Sequence, residues 1–323
     1  MSPSSTPTTE APGVAPGGSI RVRIRRFDPS VDAAPRFESY EVPRTRLMRV
    51  LDVLDHVHEA LGVDLGYRWL CTSKKCGTCA VNVNGSPVLA CWEEAQDGMT
   101  IEPIGNMPVV RDLVTSRDGY EATLAAVAPQ LQRREEYPGF PEPLAADDFA
   151  PSVHLRDCIQ CLACQSVCPV IAQKDAGFAG PAVLVALAEL ALDPRDGAAR
   201  GATAGSVAKV FSCVSCYECE RVCPAEIPIV SEAIEPLKRL ATAQGHVAGA
   251  RRAAAFLAVV KERGFADGAR VAFQLNGLTL RALRLGLRLF RRGKADILGA
   301  WRARRAPGAD SVRRTYEHGE GSP

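Results

Sequence analysis

Residues 158–169, CIQCLACQSVCP, and residues 213–224, CVSCYECERVCP, decide the fold of the second half of the chain. Both have the form C-x2-C-x2-C-x3-C-P, and Cys213 follows Cys158 by 213 − 158 = 55 positions, so they are two copies of one unit. Two-residue gaps wind a tight loop around a common centre, and the fourth cysteine opens a segment heading away. Pro169 and Pro224 each suit the first turn of a helix there, where no amide hydrogen bond is lost. One CxxC would carry little weight; two complete copies closed by Cys-Pro do not arise by chance.

This is the bacterial [4Fe–4S] spacing, in which the first three cysteines hold one cluster and the fourth holds the other. Working toward the N-terminus, Cys71, Cys76, Cys79 and Cys91 are spaced C-x4-C-x2-C-x11-C, the plant-type spacing for a [2Fe–2S] centre. Successive amides of the first loop would point at the cluster and stabilise its negative charge, with Gly77 admitting a close backbone approach. Residues 80–91, AVNVNGSPVLAC, read as a hairpin turning at Asn84-Gly85 and ending on Cys91. A zinc site is the alternative for this group, disfavoured by the x4 gap and by the groups downstream. The three groups use all 12 cysteines. A secreted disulfide scaffold would not demand such spacing, and the Ser/Thr/Pro/Gly-rich start lacks the basic and apolar regions of a signal peptide.

Charge divides the chain. Residues 236–323 hold 18 Lys/Arg against 6 Asp/Glu, or +12, and the remainder holds 21 against 31, or −10. A basic end on an acidic body fits a partner or an anionic membrane surface, or else a solvated helical face. The longest apolar stretch, residues 182–192, is short of the about 20 residues a membrane span needs. No G-x-G-x-x-G follows a predicted strand and no P-loop occurs, so the chain shows no nucleotide or flavin site of its own. No catalytic residues stand out.

Residues 19–27 and 37–42 alternate as strands, and residues 47–61 have apolar positions at helical spacing. His56 and His58 lie there, but an i,i+2 pair shares no helix face, and solvent or packing roles fit them better than ligation. Residues 121–131 and 181–192 read as helices, and Pro-rich residues 135–151 as a linker. The organisation expected is a disordered tail over residues 1–18, a [2Fe–2S] ferredoxin domain over 19–120, a dicluster domain over 145–235, a basic helical extension over 236–306 and a disordered tail over 307–323. Within the extension, residues 277–294, GLTLRALRLGLRLFRRGK, place Arg281, Arg284, Arg288 and Arg291 at helical spacing opposite leucines. Such a helix lies on a membrane surface, docks a partner or packs on its own domain.

One [2Fe–2S] domain followed by one dicluster domain resembles the iron–sulfur subunit of succinate dehydrogenase/fumarate reductase. The likeness rests on residues 26–42, RFDPSVDAAPRFESYEV, residues 101–114, IEPIGNMPVVRDLV, and the CGTC loop at 76–79, and it covers residues 19–230. It implies an α+β protein, an N-terminal β-grasp domain followed by an all-α dicluster domain. Carried over by position, Cys71, Cys76, Cys79 and Cys91 hold the [2Fe–2S] cluster. Cys158, Cys161, Cys164 and Cys223 hold a [4Fe–4S] cluster, and Cys168, Cys213 and Cys219 hold the third. In most of the family the position of Cys216 lacks a thiol and the third cluster is [3Fe–4S]; here Cys216 makes [4Fe–4S] the expectation, with [3Fe–4S] the alternative. The partners implied are an FAD-containing flavoprotein and a membrane anchor or other electron-accepting subunit. No nucleic acid is implied, and the place is cytoplasmic, on the inner face of the membrane through those partners.

Three departures stand out. Quinone-reducing members place tryptophan shortly after the first Cys-Pro and histidine after the third cluster's first cysteine, where this chain has Val170, Ile171, Ala172, Gln173 and Val214. The loop after Cys71 reads TSKK rather than the common form with Arg and Gly. Beyond residue 230 the chain resembles the dicluster subunit of heterodisulfide reductases. A relay for another flavoprotein or for a heterodisulfide-reductase-like complex is thus the alternative function. A free-standing ferredoxin-like carrier is a second rival, against which the length and basic tail argue.

Overall fold

The computed structural model describes residues 18–173, 177–245, 247–277, 279, 284, 287–288, 291–293 and 305–319. It divides into two compact units, residues 1–237 and 238–323. The expected tail over residues 1–17 lies outside the described residues, as does Arg281.

In the first unit, β1 (Ser19–Arg26) places Ile20, Val22 and Ile24 in the core while Arg21, Arg23 and Arg25 alternate outward and Arg26 is buried. It pairs antiparallel along its whole length with β2 (Arg36–Pro43) and parallel with β5 (Thr100–Glu102). The hairpin of β3 (Ala80–Val83) and β4 (Ser86–Leu89) joins the other edge of β5, giving the order β2-β1-β5-β3-β4. Asn84 and Gly85 both turn through positive φ, 51° and 86°, as a two-residue hairpin requires. Helix α1 (Val50–Asp55) buries Val50, Leu51, Val53 and Leu54, then widens into a π turn over His56–Ala60. The amides of Val50 and Leu51 donate to the carbonyls of Glu93 and Ala90, which fixes the stretch containing Cys91.

A small hairpin, β6 (Val109–Arg111) and β7 (Val114–Thr115), turns through buried Asp112. One oxygen of Asp112 accepts from Arg26 Nε and the Phe27 amide, each at 2.9 Å, and the other from the Gly66 amide at 2.8 Å. One carboxylate thus joins three separate stretches, which gives a physical reason for the RDLV sequence. Helix α2 (Asp118–Ala126) ends earlier than the expected residue 131 because Ala128 takes a left-handed conformation, φ 49°.

The cysteine repeat follows. Helices α3 (Ala163–Ser166) and α4 (Pro169–Ala172) arise in the first copy and α7 (Glu218–Arg221) in the second. Between them run α5 (Pro181–Ala191) and α6 (Arg200–Ser206). Helix α5 is the local core: Val183, Leu184, Val185, Leu187 and Ala188 are fully buried, and the helix packs on the π turn Ile229–Ile234 that leads into α8 (Glu235–Ala243). Pro169 occupies the first turn of α4 as expected, but Pro224 does not open a helix. After Cys223 the chain turns, Glu226 reverses it at φ 58°, and helical structure resumes only at Ile229.

In the second unit, α9 (Val247–Arg263) packs against α10 (Gly268–Asn276) and against a last helix, Ala309–Gly319. Arg263 and Asp267 form a buried ion pair at 2.7 Å, and a Cβ on Gly264 would lie 2.9 Å from Ala309 Cα. That close contact and the burial of Ala309 order residues 309–319, where the sequence reading expects a disordered tail. Among the described residues no helix is long and apolar enough to cross a membrane.

Candidate iron–sulfur sites

All twelve cysteines are free thiols, and the fold gathers them into three sets within the first unit. Around Cys71 the loop alternates left-handed residues, Thr72 at φ 54°, Lys74 at 60° and Gly77 at 69°, which turns successive amides inward. The amides of Ser73, Lys75 and Cys76 donate to Cys71 Sγ at 3.5, 3.3 and 3.2 Å. Those of Ser73 and Lys75 do most to bring its thiol down to about 6, so the loop favours a thiolate. Cys79 and Cys91, on either side of the β3–β4 hairpin, are buried. Burial pushes the Cys79 thiol up to about 12, with a contribution from Cys91.

The two repeat copies share one backbone device. Gln160 and Leu162 take φ of 51° and 66°, and Ser215 and Tyr217 take 52° and 62° at the matching offsets. Left-handed geometry at a residue with a Cβ costs about 1–2 kcal/mol, and its repetition in both loops marks a shared task. The Ser215 amide donates to Cys213 Sγ at 3.4 Å, as the Ser73 amide does to Cys71.

A cavity is lined by Cys158, Cys161 and Cys164 from the first copy together with Cys223 from the second. Burial is the main cause of raised thiols there, lifting Cys161 to about 11, and charge on Cys223 adds to the rise at Cys158, Cys161 and Cys164. Burial likewise lifts Cys168, with contributions from Cys213 and Cys216, and lifts Cys219 to about 12, again with contributions from Cys213 and Cys216. Cys223 of the second copy thus lines the cavity of the first copy's cysteines, and Cys216 acts electrostatically on both Cys168 and Cys219. It is the exposed member. Among the described residues no three His, Cys, Asp or Glu side chains converge as ligands of one ion would. A cluster distributes its thiolates over different irons, around a volume rather than a point, and the deep thiols, the inward amides and the apolar cavity fit such a group.

His58 Nδ1 lies 3.0 Å from the Val63 carbonyl oxygen, and its ring meets that of Tyr67 edge-on. Sequence reasoning missed two residues that organise the sites. Asp112 is one; Asn106 is the other, its side chain bonded to the segment between Cys164 and Cys168. Both lie inside the quoted IEPIGNMPVVRDLV stretch, but their partners are distant in sequence.

Comparison with known proteins agrees with this geometry. Residues 21–122 match a 2Fe-2S iron-sulfur cluster binding domain and residues 154–227 a 4Fe-4S dicluster domain. Fold and sites together define an iron–sulfur protein with one plant-type domain and one dicluster domain. The chain is 36% identical over 216 residues to a fumarate reductase iron-sulfur subunit of Mycobacterium tuberculosis, covering 64% of this chain and 86% of that one. A chain of the Mycobacterium smegmatis Sdh1 complex in the apo form superimposes with a TM-score of 0.65 at 28% identity, covering 70% of this chain and 97% of that chain. This protein belongs to the succinate dehydrogenase/fumarate reductase iron–sulfur subunit family. It is also 37% identical over 226 residues to a subunit of the fumarate reductase (CoM/CoB) of Methanothermobacter marburgensis, covering 70% of this chain and 45% of that one. The chain thus spans about half the length of the archaeal relatives it matches.

Proposed function

We propose that this chain is the iron–sulfur electron-transfer subunit of a succinate dehydrogenase/fumarate reductase complex, relaying single electrons between an FAD-containing flavoprotein and a quinone or other membrane-side acceptor. The observation that carries this reading is the arrangement of three cysteine sets in one compact unit, with the first loop against the second: Gly77 meets Ile159 and Cys161. When bound, the clusters supply one-electron chemistry and no substrate chemistry, so a flavoprotein must perform the two-electron step. Within the N-terminal domain, a β-grasp arrangement positions Cys71, Cys76, Cys79 and Cys91 for the [2Fe–2S] cluster. Cys158, Cys161, Cys164 and Cys223 hold the middle [4Fe–4S] cluster, in an all-α domain. Cys168, Cys213, Cys216 and Cys219 hold the third.

The chain's own groups act by holding thiolates and screening water. Inward amides at Cys71 and Cys213 stabilise negative charge, and apolar walls at Ile229 and Val185 keep the middle site dry. Purification of the tagged chain from its host tests the assignment. A stoichiometric flavoprotein with succinate-dependent dye reduction supports it; absence of any stoichiometric partner contradicts it. A relay to a different acceptor is favoured by one observation: where quinone-reducing relatives carry histidine, Val214 is 65% exposed and offers no hydrogen bond from its side chain.

A further inference from the structure

The first and second cysteine loops meet backbone to backbone. A Cβ on Gly77 would lie 2.5 Å from the carbonyl oxygen of Ile159 and 3.0 Å from Cα of Cys161, so no side chain can stand between the loops. A second tie lies at Asn106, whose φ is 60°. The two hydrogens of its Nδ2 are shared among the carbonyl oxygens of Gln165, Ser166 and Cys168, at 2.9, 3.0 and 3.1 Å. Beside it the Gly105 amide donates to Ser166 Oγ at 2.9 Å. The segment so gripped runs between Cys164 and Cys168, which belong to different sets. These contacts join stretches about sixty residues apart, and neither stretch needs them for its own helix or strand.

We propose that Gly77 and Asn106 are positioning residues that set the spacing between the first and second cysteine sets, Gly77 by admitting backbone contact and Asn106 by locking its register. The proposal rests on the relay reading above. Exchange of an electron between two centres weakens steeply with separation, so a relay needs this gap short and constant. Hydrogen bonds to three carbonyls hold a distance more tightly than apolar packing does, because they tolerate only a narrow span of length and angle.

The test uses the full chain with its clusters. Asn106→Gly removes the amide yet keeps a residue at ease with positive φ, and Gly77→Ala adds a methyl where there is no room. Each variant is purified anaerobically, its iron counted, and the reduced protein examined by electron paramagnetic resonance. We expect Asn106→Gly to keep its iron and its g values, and both variants to show a weaker magnetic interaction between the first and second centres than the unaltered protein gives. Interaction of undiminished strength in the loaded variants overturns the proposal. Should either variant lose iron, Asn106→Asp, which keeps the size of the side chain but removes its donor, reads the same interaction and decides in the same way. An unaltered chain with fewer than three centres would instead overturn the relay reading itself.

Discussion

Arg200 reaches Asp196 with Nη2 to Oδ2 at 2.7 Å, and the two side chains are only 3% and 1% exposed. The same guanidinium donates to the carbonyl oxygens of Ala128 and Gln130 at 2.8 and 2.7 Å. The pair therefore pins the turn after α2 to the start of α6, across the body of the dicluster region. Asp196 in turn accepts from the amides of Gln132 and Ala198.

Removing one member leaves a buried charge without compensation. Arg200→Ala is expected to destabilise the first unit by about 3–5 kcal/mol, measured by anaerobic urea unfolding at neutral pH. Burial alone would raise Asp196, but the bonds from Arg200, Ala198 and Gln132 outweigh it and hold the carboxyl below its usual value. A depressed carboxylate contributes stability above its unfolded pKa of about 3.9 and loses it as pH falls through the folded value. The gap between Arg200→Ala and the unaltered protein should therefore narrow in acid; a constant gap from neutral pH to about pH 3 would contradict this.

Cys71→Ser or Cys79→Ser is expected to abolish the first cluster while the dicluster region stays folded. The two regions have separate cores, one around β1 and α1 and one around α5. Iron should drop by about two atoms per chain. Loss of all iron would show that the regions do not load independently.

The two cluster-binding domains were legible because ligand spacing is local: each cysteine group lies on one or two short stretches. Strands β1 and β2, the Asn84-Gly85 turn and α5 were likewise legible from period and turn chemistry. What escaped depends on partners far along the chain. Gly77 reads as room for a cluster, yet the atom nearest its missing side chain is the carbonyl oxygen of Ile159. Asn106 reads as a loop residue until Ser166 and Cys168 come to it. Pro224 looks like Pro169 in sequence, but the left-handed Glu226 two residues on sends the chain elsewhere. The helix at residues 309–319 depends on its contact with Gly264.

The basic end carries a further prediction. Arg284, Arg288 and Arg291 are exposed, and the charge change lies almost at the boundary between the two units. Replacing these three and Arg281 by Gln should release the protein from anionic vesicles at moderate salt, each charge near such a surface being worth about 1 kcal/mol. Equal sedimentation with vesicles before and after the change would leave these arginines a role in packing alone.

Cys216 is expected to complete a [4Fe–4S] third cluster, since it repeats the place of Cys161 in the second copy and acts electrostatically on Cys168 and Cys219. Anaerobic, oxidised protein should then be silent in electron paramagnetic resonance, and Cys216→Ser should give the signal of an oxidised [3Fe–4S] centre. A strong stoichiometric signal in the unaltered oxidised protein would contradict the assignment.

The central claim is that this chain relays electrons between a succinate- or fumarate-handling flavoprotein and an acceptor. Its most direct test is electron paramagnetic resonance of the complex purified from the host, recorded before and after adding succinate, and before and after adding fumarate to the dithionite-reduced sample. Succinate should reduce at least one of this chain's centres, or fumarate should reoxidise them. Clusters that dithionite reduces but that ignore both dicarboxylates would contradict it.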